Sequence, residues 1–397
     1  MGAEVYFANG LRKIKPYHHS RLSFAKGRWL NRTLLDVLSD EFRANTREEY
    51  EKGILQRKFQ VIREDVELSV EEVLRERIRN KDVIKTTCHK HEPPVKQWAK
   101  EENNGPGWVA GMKVIHECEE LLVIDKPSGI PIHPTGQFYQ NTLTEVLKNN
   151  GNTVFPSHRL DKITSGVLIL TKNAHMANKI QHQIRQRTMS KVYLARVDGA
   201  FPLADAHGSL TPFEIPDRTT TEESAIYTIE LKKQFPAAFS PPREAKTKFY
   251  PLKYYAESNE TLVACQPITG RTHQIRIHLA RLGHPIVNDP FYNLKSSRNP
   301  KRLAFMLECH NWNTQTSESP SLSEYFDEFL KEAEKIRGSE RSDVSLEKCP
   351  ECDVNIYPDP TCEELQLFLH AWRYTDASGN LNFETDIPEW AKSGWTL

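Results

Sequence analysis

Cysteine is scarce in this chain, with seven residues in 397, odd in number and widely spaced. That excludes the disulfide framework of a small secreted domain. Long apolar runs are missing too: the longest, such as Leu121 to Ile124 and Val167 to Leu170, are strand-sized, far short of the roughly 20 residues a membrane-spanning helix needs. Net charge is zero, 53 basic residues against 53 acidic. The whole molecule therefore lacks the field of a histone or a basic arm, and any nucleic-acid surface has to be local. The first residues carry no apolar core of a secretory signal, and Met1 to Arg21, with Glu4 as its one acid, fits a transit peptide poorly because of its Tyr, Pro and His. The expectation is a reducing compartment, the cytoplasm or nucleus ahead of the mitochondrion.

The length leaves room for two or three domains of ordinary size, and 38% hydrophobic residues suffice for real cores. From Leu11 to Arg32 there are seven basic residues and no acid, with Tyr17, Phe24 and Trp29 interleaved. Charge combined with stacking faces suits nucleic acid, and a solvated basic edge is the plain alternative. A helix is expected after Thr33, another over Arg47 to Leu55, then a strand from Phe59 to Ile62. Residues 91–107, with Pro93, Pro94, Gly105 and Pro106, suit a linker. Beyond it, strands at Leu121 to Ile124 and Val167 to Leu170, a helix over Ala174 to Arg187, and a hairpin formed by Thr247 to Tyr255 and Thr261 to Ile268 imply a mixed sheet.

Three clusters carry chemistry. The first is His158-Arg159-Leu160-Asp161-Lys162-Ile163-Thr164-Ser165-Gly166, just before an apolar strand. A carboxylate among cations and hydroxyls at a strand edge is either a positioned nucleophile or base, or a turn-capping Asp with solvated neighbours; the residues alone leave both open. The second is Lys162 to Val197, with seven basic residues and no acid, a candidate phosphate-binding face. The third runs from Thr269 to Leu279, where a helix from Thr272 puts Gln274 and His278 on one face. His273 and His278 are five residues apart, the wrong spacing for a zinc pair on a helix. A lone CxxC, Cys349 and Cys352, stands with Cys362 ten residues on; Cys309 and His310 could complete a metal site only if the fold brought them near. The expected reading is a turn with two small buried thiols, and no metal.

These strings resemble a known family. HRLDKITSG at 158–166, KVYLARV at 191–197 and TGRTHQIRIHLARLGHPIVNDPFY at 269–292 are similar to the signature motifs of the RluA-type pseudouridine synthases, with LLVIDKPSG at 121–129 similar to their opening strand. Leu369-His370-Ala371 resembles a further element late in that fold. KGRWLNRTLLDVLSDEFRA at 26–44 and HKHEPPV at 89–95 resemble the eukaryotic tRNA branch, in particular its anticodon stem-loop enzymes.

The resemblance implies an α+β fold, a bent, mixed and mainly antiparallel sheet flanked by helices over residues 108–397 with an insertion at about 311–360, preceded by a small S4-like α/β RNA-binding domain at 1–90 and a linker at 91–107. It implies an isomerase that turns uridine into pseudouridine in tRNA, at position 31 or 32, without a cofactor, acting as a monomer on RNA and not on DNA or membranes. Asp161 is then the catalytic carboxylate, working on the ribose as nucleophile at the anomeric carbon or as base at its neighbour. Tyr193 contacts the flipped base and is the candidate for moving the C5 proton, and Arg276 holds Asp161 by an ion pair. Arg159 fills the space of the extruded base, with His158, Thr164, Arg271 and Lys191 completing the RNA-contacting set. Lys126, Ile275 and Leu279 shape the pocket, and Arg28, Arg32 and Arg43 are expected phosphate contacts of the N-terminal domain. Competing expectations are a ribosomal or mitochondrial RNA synthase, an RNA chaperone that keeps the fold, and a nucleoside glycosidase that releases free base.

Overall fold

Capping residues and apolar spacing account for the elements of the N-terminal unit in the computed structural model. The structure describes residues 3–42, 46–98, 105–202, 220–227, 240–297, 300–308, 324, 326–332, 334–335, 347–356 and 358–392. Contacts divide the chain into two compact units, Met1–Tyr6, Ile14–Glu92 and Lys348–Val354 forming the first, and Phe7–Lys13, Pro93–Glu347 and Asn355–Leu397 the second.

In the first unit Thr33 caps helix α1 (Leu34–Val37) by accepting the Asp36 N–H. Thr46 and Ser69 each form a capping box with the glutamate three residues on, starting α2 (Arg47–Leu55) and α3 (Val70–Arg75). These helices accompany a four-stranded antiparallel sheet of β1 (Tyr17–Phe24), β2 (Phe59–Arg63), β3 (Val66–Glu67) and β4 (Val83–Lys90), in spatial order β1-β4-β2-β3. Trp29, Leu34, Val37, Tyr50, Ile54, Val61 and Ile84 form its small core. The basic segment of residues 11–32 is therefore largely strand, an element its charge pattern does not announce.

The second unit is built on a mixed sheet. Its strands are β5 (Met112–Glu117), β6 (Leu121–Lys126), β7 (Ser165–Thr171), β8 (Met189–Asp198), β9 (Thr220–Glu223), β10 (Lys246–Tyr255), β11 (Glu260–Pro267) and β12 (Leu369–Asp376), in spatial order β9-β10-β11-β8-β12-β7-β6-β5. Every pairing among these is antiparallel except β7 with β12. The α+β architecture with a mainly antiparallel sheet is as expected. Strands β6 and β7 read as unbroken apolar runs because both faces are covered, with Val123, Ile124 and Val167 to Leu170 fully buried. In β10 burial alternates from Lys246 to Pro251, as for a strand with one face on the core. At the single parallel pairing the chains come very close: a Cβ on Gly166, whose φ is +113°, would meet the Ala371 carbonyl oxygen at 2.2 Å. Only glycine fits there. Helix α4 (Ala174–Arg185) buries Met176, Ala177 and Ile180.

The expected boundaries differ from this division in three places. Residues 7–13 belong to the second unit, where Leu11 and Arg12 pair with Lys96 and Val95. The expected linker at 91–107 is packed in part, since Val95 is fully buried in the main core and Asn141 donates to the Pro93 carbonyl. Lys348–Val354, inside the expected insertion, joins the first unit, and Phe326 and Phe329, also inside it, pack with Phe305 in a satellite core of the second.

Candidate active site

Asp161 stands in a short turn immediately before β7 that other groups hold in place. The Thr164 N–H donates to the Asp161 carbonyl, and Gly129 N–H to that of Lys162. Beneath the turn the fully buried Lys126 Nζ donates to the carbonyls of Pro127, Lys162 and Thr164 at 3.0, 3.2 and 2.9 Å. Burial pulls its pKa down to about 7, against the attraction of Asp161, while three carbonyl acceptors match the three donors of an ammonium group. The lysine is a tie beam under the carboxylate.

From the other side comes α5 (Gln274–Arg281), with Arg276 2% exposed. Its Nη1 donates to Asp161 Oδ2 at 3.1 Å, while Nε and Nη2 form a bidentate pair with the fully buried Asp289 at 2.7 and 2.8 Å. Asp289 also accepts the N–H groups of Phe291 and Tyr292. Burial works against the guanidinium, but its bonds to Asp289 overcome this and raise the pKa above that of a free arginine. A planar fork fixed on one carboxylate leaves its remaining edge for Asp161, which is thereby aimed.

The turn before α5 is fixed by Gln274. Its Oε1 accepts from the Thr269 hydroxyl and Arg271 N–H, and its Nε2 donates to Lys246 O and Thr247 Oγ1. Thr247 also meets His278 Nδ1 at 2.9 Å, so the two same-face residues share one anchor. His273 takes a left-handed backbone conformation, φ +56°. Its Nε2 lies 3.6 Å from Asp161 and its Nδ1 2.9 Å from the Tyr292 hydroxyl. It faces the carboxylate and His278 faces β10, so the two form no metal pair.

Two cavities flank Asp161. One, of about 180 Å³, is lined by His158, Arg159, Asp161, Thr164, Lys191, Tyr193, the 269–276 turn and Tyr374; the other, of about 660 Å³, by residues 131–135, 159–163, 288–296 and 360–366 in part. A cavity of roughly 150 Å³ accepts one benzene ring, so the smaller has room for a single flat six-membered ring. Tyr193 Oη is 2.7 Å from Tyr374 Oη, and Tyr374 stacks on His158 with centroids 4.8 Å apart. His158 Nε2 accepts the Ile169 N–H at 3.0 Å, which leaves its proton on Nδ1, 3.5 Å from Tyr374 Oη. Burial holds the His158 pKa down to about 3 and pushes that of Tyr193 up to about 12. The row therefore runs from imidazole to phenol to phenol, all neutral. The Thr164 hydroxyl is buried with no partner among the described residues, and Lys191, largely buried, has a depressed pKa for that reason.

The sequence-selected residues Asp161, Tyr193, Arg276, His158, Arg159, Thr164, Lys191 and Arg271 thus all line one cavity, with Arg159 exposed at its mouth. Ile275 lines it too, and Leu279 is fully buried in the main core. In the first unit Arg28 pairs with Glu41, and Arg32 with Asp40 and Glu41; Arg43 lies outside the described residues, as do Cys309 and His310. Two site residues were not singled out in advance. Asp289, within the third motif, has a charge whose only signal was its type, and Tyr374 sits four residues beyond His370 on β12.

A family profile described as RNA pseudouridylate synthase matches residues 120–281. The chain is 48% identical over 398 residues to the tRNA pseudouridine(31) synthase of Saccharomyces cerevisiae, covering 98% of this chain and 97% of that protein. This chain belongs to the RNA pseudouridylate synthase family. Further relatives are the mitochondrial tRNA pseudouridine(32) synthase of the same yeast, 33% identical over 98% of this chain and 78% of that protein, and the pseudouridylate synthase RPUSD2 of Mus musculus, 32% identical over 98% and 73%. The pseudouridylate synthase isomerises uridine to pseudouridine, a reaction that breaks the N1–C1′ bond, joins C5 to C1′, and moves one proton from C5 to N1. In this synthase no helix among the described residues is long and apolar enough to cross a membrane.

Proposed function

We propose that this synthase modifies tRNA in the anticodon stem-loop, at position 31 or 32, with Asp161 as the catalytic carboxylate. The single observation that carries the assignment of Asp161 is the Arg276 fork, which grips the buried Asp289 with two arms and presents Asp161 to both cavities with the third. The tRNA reading rests on the yeast relative named for position 31, with which the chain aligns nearly end to end.

Asp161 acts on the ribose, as nucleophile at C1′ or as base at C2′, and the freed uracil turns within the small cavity before C5 bonds to C1′. Apolar walls matter during that turn, because water entering the site would capture C1′ and release uracil. Tyr193, with its pKa near 12, works as a neutral phenol: it takes the C5 proton only while giving its own up toward the uracil, whose N1 gains the one proton that C5 loses. The hydrogen-bonded row from His158 through Tyr374 orients its hydroxyl for that exchange. Arg159 enters the stack in place of the extruded base, and Thr164, Lys191 and Arg271 meet the base and its phosphates. The N-terminal unit serves as an S4-like RNA-binding domain, with Arg28, Arg32 and Arg43 toward the backbone. The enzyme acts as a monomer in the cytoplasm, with nuclear or mitochondrial pools open to imaging of a tagged chain.

Carbodiimide mapping of unmodified tRNA transcripts treated with wild-type enzyme or Asp161→Ala tests this directly. A new stop at 31 or 32, absent with the variant, is expected. A stop confined to ribosomal RNA would replace the tRNA reading, and release of free uracil would point to a glycosidase.

A further inference from the structure

Four metal-binding side chains meet within the first unit, and uridine isomerisation uses none of them. His89 lies near the end of β4, and His91 follows two residues later, a spacing that returns both side chains to the same side of an extended chain. Cys349 and Cys352 arrive from the Lys348–Val354 segment, 260 positions further along. One ligand atom from each residue lies within 4.8 Å of the other three. Cys349 Sγ is 3.6 Å from His89 Nδ1, and Cys352 Sγ is 3.3 Å from His91 Nε2. Zinc bonds of about 2.3 Å to sulfur and about 2.05 Å to nitrogen, arranged tetrahedrally, set sulfur–nitrogen edges of about 3.6 Å. The two sulfur–nitrogen contacts already have about the length of such edges.

We propose that His89, His91, Cys349 and Cys352 bind one structural Zn²⁺ ion.

The surroundings suit this reading. The other nitrogen of His89, Nε2, lies 3.3 Å from the Glu351 carboxylate, the outer partner that fixes the tautomer and orientation of a metal-bound imidazole. Glu351 is held in turn by His18 Nε2 at 2.7 Å. The cysteine turn is tight: Cys349 N–H donates to Val354 O, Asp353 N–H donates back to Cys349 O, and Asp353 takes a left-handed φ of +58°. Two sulfurs and two imidazoles select zinc over magnesium or calcium, and four protein ligands leave no open position, so the ion is structural and not catalytic. A Cys349–Cys352 disulfide would satisfy the sulfurs alone and give the two imidazoles no purpose.

The test uses the full chain, purified under reducing conditions and dialysed against metal-free buffer. Elemental analysis is expected to find one zinc per chain, falling at least tenfold in Cys349→Ser/Cys352→Ser. Exchange of zinc for cobalt in the wild-type chain should give the visible bands of a tetrahedral site with thiolate charge transfer, a readout that does not depend on the variant folding. Glu351→Gln should keep the stoichiometry and weaken zinc affinity by about tenfold. Less than a tenth of an equivalent of zinc with no cobalt spectrum, or a Cys349–Cys352 disulfide in the freshly isolated chain, overturns the proposal.

Discussion

Arg276 in the catalytic cavity and Arg28 in the N-terminal unit both face carboxylates, yet they are different devices. Arg276 is 2% exposed and bound to a carboxylate with no exposure at all, whereas the Arg28 side chain is 62% exposed beside Glu41. Buried, the pair is a fixed support whose third arm positions Asp161. Exposed, it is an exchangeable contact, because water has already screened it; on the proposed function a phosphate replaces it. Burial decides whether an arginine is a fixed support or an exchangeable contact.

That contrast can be broken most severely at its centre. Asp161→Ala removes the group that the buried arginine presents, and turnover should fall by roughly a thousandfold or more while tRNA binding persists in a filter assay. Asp289→Asn comes next. It leaves a buried guanidinium short of its main counter-charge, so denaturant melts should show a loss of about 3–5 kcal/mol, and activity should fall as Asp161 loses its aim; unchanged stability would mean that Arg276 finds another partner.

Acid offers a milder probe of the buried side. His158 and His370 are held neutral by burial, with pKa values near 3 and 4 against 6.5 for a free imidazole. The unfolded chain binds protons below about 6.5 that the folded chain refuses, so stability is full above that pH and falls as pH drops toward 4. At pH 5 each histidine should cost about 2 kcal/mol, and His370→Gln should remove part of the slope. The smallest effect is expected at the exposed arginines. Arg28→Ala/Arg32→Ala should leave the melting temperature nearly unchanged and lower the salt dependence of tRNA binding by roughly one to two logarithmic units of slope. A large melt shift with no change in slope would make both residues structural.

Most of the catalytic cavity was legible because its parts lie in three short strings, each carried by one turn or strand end. His158, Asp161 and Thr164 share a loop, Lys191 and Tyr193 a strand, and Arg271 and Arg276 a turn and its helix. What escaped was what depends on the third dimension. Residues 11–32 contain no acid, but Asp40 and Glu41, a few positions on, reach back to Arg28 and Arg32. Two residues of the run from Lys162 to Val197 are likewise paired with acids far off in sequence, Lys172 with Glu117 and Arg196 with Glu260. Tyr374 is 181 positions from the Tyr193 hydroxyl it meets. The CxxC pair is visible in the sequence, while the histidines that face it, His89 and His91, lie about 260 positions away in the string HKHEPPV.

In the proposed mechanism Asp161, aimed by Arg276, opens the glycosidic bond while Tyr193 handles the C5 proton. This mechanism is tested most directly by single-turnover tritium release from tRNA transcripts labelled at C5 of uridine, comparing wild type with Asp161→Asn at saturating enzyme. Wild type should release one tritium per modified uridine rapidly and the variant none above background, with equal binding of the transcript. Tritium release at the wild-type rate from Asp161→Asn would contradict it.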